Sequence, residues 1–188
     1  MPRGLPDYLA PGLSILFVGI NPGLRSAEVG HHFAGPSNRF WKLLFDARLI
    51  PVPMNYEEDW RLPEFGYGLT NVVARPTAGD QDLEKQDFLD GCQALLTKIT
   101  TYQPFLVALL GVSMARILLT PQQPERSGQP SAGNLIQVGM QPIHLAGVPV
   151  CVLPNPSGRN AHYSYQRMKE LFCELNGLAQ KSTGHHSG

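Results

Sequence analysis

Short, unbroken apolar runs alternate along this chain with longer stretches in which apolar residues recur every three or four positions. The runs at residues 15–20 (ILFVGI), 105–111 (FLVALLG) and 148–155 (VPVCVLPN) are apolar nearly throughout, the pattern of strands covered on both faces. Residues 82–102 instead place Phe88, Leu89, Cys92, Leu95, Leu96 and Ile99 at helical spacing, with acidic residues early and Lys98 late, as the helix dipole favours. Residues 38–49 (NRFWKLLFDARL) and 164–178 (SYQRMKELFCELNGL) predict two further helices, the second ending near Gly177. Strands alternating with helices predict an α/β fold whose parallel sheet is flanked by helices through right-handed crossovers. Residues 120–134 and 180–188 are polar and rich in Pro, Gly or Ser, and are expected to be a mobile loop and a disordered tail. The expected domain is a single one over residues 1–179.

Composition narrows the picture. A chain of 188 residues with 43% hydrophobic content can bury one core of ordinary size. Its formal net charge is zero, so no global basic field advertises a nucleic-acid partner, although a local basic face stays compatible with one. The three cysteines, Cys92, Cys151 and Cys173, are widely spaced in apolar surroundings. They are expected to be buried, reduced thiols of a cytoplasmic protein. No apolar run approaches the roughly 18 residues of a membrane span, and MPRGLPDYLAPG has no signal-peptide core.

Candidate chemistry gathers in two loops, each directly after a predicted buried strand: GINPG at residues 19–23 and NPSGR at residues 155–159. In open α/β sheets ligands bind at the carboxyl ends of the strands, so both loops are expected on one functional edge. A phosphate cradle fits the first loop poorly. It lacks the Lys-Ser/Thr of a P-loop, and Pro22 removes a donor. A neutral amide such as Asn21, stiffened by Pro22, can orient a water but cannot act as a strong base. Residues 18–41 hold a single carboxylate, Glu28. The paired His31 and His32 have no Cys, His or Asp neighbours in sequence that would complete a metal site.

Four ordered blocks, GINPG, GHHFAGPSNRFWK, GLTNVVARPT and LPNPSG, together resemble the mismatch-specific uracil-DNA glycosylase and thymine-DNA glycosylase family of the uracil-DNA glycosylase superfamily. The resemblance runs from about residue 9 to the last helix. It implies a three-layer α/β/α sandwich with a central, mainly parallel sheet. It also implies hydrolysis of the N-glycosidic bond of a mispaired base in double-stranded DNA, with no metal and no cofactor. By the same resemblance Asn21 positions the attacking water and Phe33 stacks on the flipped base. Ile20 and Phe33 offer backbone amides to the pyrimidine edge. Asn71 stands where the thymine branch has asparagine and bacterial mismatch enzymes have lysine. Ser26 matches a serine of the uracil-directed enzymes and favours uracil over thymine. His32 lies beside the active site in the thymine branch, where it would tune the leaving group or contact phosphate, with exposed surface as its alternative. Asn38 is expected to brace the loop or cap the next helix, and Phe40 and Trp41 to enter the core. In the second loop, Asn155 would contact DNA, Ser157 would bond a phosphate or the sugar, and Gly158 would permit close approach. Arg159 would be the wedge; bacterial relatives carry leucine there and arginine two residues later, where this chain has Ala161, so Arg159 either serves both functions or intercalates more weakly.

The reading that follows is a monomeric, monofunctional glycosylase that leaves an abasic site for other base excision repair proteins. A lesion-binding module that flips bases without hydrolysis, and a nucleotide-binding protein, are the alternatives.

Overall fold

The computed structural model describes residues 4–120 and 136–183. Strand β1 (Ile15–Gly19) is followed by helices α1 (Leu24–Val29) and α2 (Phe40–Asp46), a 3-10 helix (Tyr56–Phe65) and β2 (Tyr67–Asn71). A short 3-10 turn (Asp80–Asp82) leads into α3 (Lys85–Tyr102), β3 (Val107–Leu110) and α4 (Val112–Leu119). The strands β4 (Gly139–Leu145) and β5 (Val148–Leu153) and the helix α5 (Tyr165–Thr183) complete the fold. The sheet order is β2-β1-β3-β5-β4. The first four of these strands run parallel, and β4 closes one edge antiparallel to β5.

Alternation within the strands explains the unbroken apolar runs. Ile15, Phe17, Ala108, Leu110, Cys151 and Leu153 face one side, where they pack with Phe40, Leu43 and Leu44 of α2 and Met168, Phe172 and Leu175 of α5. Leu16, Val18, Val107, Leu109, Val150 and Val152 face the other, against Phe88, Leu95 and Ile99 of α3 and Met114, Ala115 and Leu119 of α4. Both faces of every central strand are thus buried, which gives the three-layer α/β/α arrangement.

Four features differ from the sequence reading. β2 was not legible, because YGLTN is short and carries neither alternation nor a β-branched run. β4 alternates exposed and buried residues and contains Pro142, as an edge strand with one solvated face does. α5 continues through Gly177 to Thr183, so residues 180–183 belong to a helix rather than a tail. Of the cysteines only Cys151 is buried, where burial raises its thiol to about 12; Cys92 is half-buried and Cys173 exposed. The loop expected over residues 120–134 lies, but for Thr120, outside the described residues, as does the tail beyond residue 183. Among the described residues no helix is long and apolar enough to cross a membrane.

Candidate active site

The parallel register of β1 and β2 continues beyond the strands. Val72 and Val73 donate their N–H groups to Gly19 and Ile20, and Thr77 donates to Pro22 O at 3.1 Å. The chain segments after β1 and β2 are therefore zipped together at the carboxyl edge of the sheet. Ile20 shares in this zipper: its carbonyl accepts from Val73 and its side chain joins the core on the α3 and α4 side.

This zipper fixes Asn21. Its Nδ2 donates to Arg75 O at 2.9 Å and to Thr77 Oγ1 at 2.7 Å, with a longer 3.3 Å contact to Pro22 O. A backbone carbonyl can only accept, so the bond to Arg75 fixes which end of the amide is nitrogen. Thr77 Oγ1 in turn donates to Gly79 O at 2.6 Å, which leaves a lone pair for Asn21. With both amide hydrogens engaged, Asn21 Oδ1 accepts no hydrogen bond from another described residue. The result is a rigid, neutral acceptor that can align a water molecule.

Phe33 and Asn71 converge beside it. A Cβ added at Gly19 would collide with Asn71 Oδ1 and lie 3.5 Å from the tip of the Phe33 ring, so the absent side chain is what lets both groups close over the end of β1. The Phe33 ring packs on Phe40 with centroids 4.1 Å apart, and its backbone is left-handed, with φ +54°. The Asn71 side-chain amide has no hydrogen-bond partner among the described residues, which leaves it free to read a polar edge. A groove of about 470 Å³ lined by Phe33, Pro36, Trp41, Phe45 and Tyr56 opens on the α2 side of this loop, and neither Asn21 nor Asn71 lines it.

Ser26 is buried, and its Oγ accepts from Ala34 N at 3.0 Å, so it braces the residue next to Phe33. His32 is neither exposed surface nor a phosphate contact. It is 1% exposed, its Nε2 donates to Pro6 O at 2.7 Å and its ring meets Tyr8 edge-on. Burial pushes its pKa below the ordinary 6.5, and a neutral, enclosed imidazole does not reach a phosphate. Glu28 is exposed and paired with Arg25 at 2.8 Å. Asn38 Oδ1 accepts from Phe40 N at 3.0 Å, and Phe40 and Trp41 are buried, as expected.

The second loop is a self-bonded turn. Asn155 Oδ1 accepts from Ser157 N at 3.0 Å, Asn160 Nδ2 donates to Asn155 O at 3.0 Å, and Ser157 Oγ accepts from Arg159 N at 3.3 Å. Gly158 does permit a close approach, but to the segment between α1 and α2: any Cβ there would strike Ser37. Pro156 O accepts from Arg39 N at 3.0 Å, which joins the same two loops. Arg159 is exposed, and its Nη1 donates to Ala78 O at 2.7 Å, one residue from the Thr77 that holds Asn21. The two loops and the segment after β2 therefore meet at one place, and Ala161 stands exposed beyond them.

Two residues of this constellation were missed from sequence. Thr77 lies within the third matched block, six residues after Asn71, but nothing in its type announces a partner. Asp59 is 0% exposed, and it accepts from His32 N at 2.8 Å and pairs with His31 Nδ1 at 3.0 Å. Its own surroundings in sequence, EEDWR, read as a solvated face. Among the described residues no group of three or more His, Cys, Asp or Glu could hold a metal ion.

An α/β/α sandwich with an immobilised asparagine amide, an aromatic ring and a second amide at the carboxyl edge of its first strand defines the class of protein. The chain belongs to the uracil DNA glycosylase superfamily, whose family model matches residues 6–176. Membership makes it a DNA glycosylase, a hydrolase of N-glycosidic bonds. It is also similar to a Methanosarcina acetivorans protein, named as a candidate uracil DNA glycosylase and solved by solution NMR. That likeness has a TM-score of 0.61 and 22% identity over 94% of this chain and 98% of the other, and it supports the fold.

Proposed function

We propose that the protein is a monofunctional glycosylase that removes uracil mispaired with guanine from double-stranded DNA. The observation that carries this reading is the clamped amide of Asn21, with its oxygen unengaged beside Phe33 and Asn71. Flipping a nucleotide out of the stack costs a few kcal/mol and is easiest where pairing is already poor, so a mismatch itself favours entry. The flipped base stacks on Phe33, an interaction worth about 1–3 kcal/mol per base and tolerant of base identity. Asn71 offers donor and acceptor to the pyrimidine edge.

The N-glycosidic bond then breaks with its electron pair leaving on the base, and the sugar gains oxocarbenium character. A water aligned by Asn21 Oδ1 attacks the anomeric carbon and releases its proton to solvent, leaving an abasic site. Glu28, the one carboxylate of residues 18–41, is turned to Arg25 rather than to the site; the chemistry is accordingly slow and depends on positioning. Preference for uracil over thymine rests on the resemblance at Ser26, and a single small group gives about 1–3 kcal/mol of such discrimination. Asn155, Ser157 and Arg159 would meet the duplex as the site closes, with Arg159 leaving Ala78 to fill the vacated stack.

The test is single-turnover uracil release from a G·U duplex, an A·U duplex and single-stranded DNA. Wild type is expected to cleave G·U fastest, and Asn21→Ala to lose about 100-fold or more in rate with duplex binding intact. Duplex binding without release of uracil from any substrate would mean a lesion-binding protein or another base, and would end this reading.

A further inference from the structure

Asp59 is a fully buried carboxylate that the chemistry above does not use. It sits in the 3-10 helix Tyr56–Phe65, against His31 and His32. Its Oδ2 accepts from His32 N at 2.8 Å and its Oδ1 meets His31 Nδ1 at 3.0 Å. The next residue along the loop is Phe33, whose left-handed φ of +54° is one that a bulky side chain keeps only where its surroundings impose it. On the far side of Phe33, Ala34 N is fixed by Ser26 Oγ at 3.0 Å.

We infer that Asp59 is a positioning residue for the base-stacking ring. Its bonds pin the backbone N–H of His32 and the side chain of His31, and this pin, with the Ser26 bond, holds Phe33 in the left-handed conformation that brings the tip of its ring to Gly19. A site that must receive a flipped base gains from a platform already in place, because the cost of ordering it is met in folding rather than at binding. Asp59 touches neither base nor water. It acts through Phe33.

The inference rests on the glycosylase reading, and its test separates the two. The probe is a G·U duplex whose uridine carries a 2′-fluoro group that blocks cleavage, with an undamaged duplex as reference. The quantity read is the ratio of the two affinities, for wild type, Phe33→Ala, Asp59→Asn and the double variant, with uracil release followed in parallel. Phe33→Ala and Asp59→Asn are each expected to lower the ratio about tenfold, within the range of one stacking contact. In the Phe33→Ala background, Asp59→Asn is expected to add less than about twofold, the non-additivity of residues acting through one another. A merely structural role would leave the effects multiplicative, and that result overturns the inference. Should Asp59→Asn fail to fold, His31→Ala removes one arm of the pin at a partly exposed position, and it should show the same dependence on Phe33. A wild type that releases no uracil and does not discriminate the probe would instead overturn the glycosylase reading.

Discussion

At the scale of single residues, this site depends on amides and imidazoles whose partners decide what they do. Asn21 becomes an oriented acceptor because Arg75 O and Thr77 Oγ1 take both of its hydrogens. His32 becomes a strut because Pro6 O takes its Nε2–H and burial keeps the ring neutral. The latter has a measurable consequence. The folded pKa of His32 lies below the ordinary 6.5, so on acidification the unfolded chain binds a proton that the folded chain refuses. The stability this group contributes is complete above about pH 6.5 and is lost as pH falls from there toward the folded pKa. Thermal midpoints should therefore drop between about pH 7 and pH 5, and His32→Gln, whose amide can still donate to Pro6 O, should flatten that dependence. An unchanged slope in the variant would show that other groups set it.

The scale of secondary-structure elements separates what the pattern showed from what it hid. The apolar runs gave β1, β3 and β5 because strands covered on both faces need no alternation. β2 and β4 were hidden for opposite reasons: one is too short and glycine-containing, the other is a half-exposed edge. Gly177 was read as a helix end, and it lies inside α5. The helix passes through it because Leu175 and Ala179 on either side are buried, and that packing outweighs the poor helix propensity of glycine. Nothing lies within 4 Å of a Cβ added there, so Gly177→Ala should raise stability by about 0.5–1 kcal/mol. Urea denaturation checks this: a higher midpoint at unchanged m-value is expected, and a lower midpoint would mean that the glycine serves a contact.

For the molecule as a whole, charge is balanced in sum and, for several cations, locally. Formal net charge is zero, and Arg25, Lys42, Arg61, Arg75 and Arg167 each lie within 3.0 Å of a carboxylate. The Arg75 guanidinium holds the Asp87 carboxyl below its ordinary range at the start of α3. Paired cations neutralise phosphates poorly, so duplex affinity should fall only gently with salt. The expected slope of log K against log salt corresponds to about four phosphates or fewer, at about −0.9 each. A slope steeper than about −6 would reveal a cationic face formed only on the duplex.

The sequence by itself determined the α/β class and the central strands, and it pointed to two loops, with Phe33 and Asn71, as the place to look for chemistry. These follow from local pattern and from ordered motifs, which a linear chain displays directly. Only the tertiary structure decided what each side chain meets. It put Thr77, 56 positions away, against Asn21, turned Gly158 toward Ser37, sealed His32 against Pro6, and set a buried Asp59 behind the loop it steadies. The physical reason is that orientation, burial and hydrogen-bond partnership arise from contacts between segments far apart in sequence. An asparagine, a histidine or an aspartate carries no local sign of which partner will claim it.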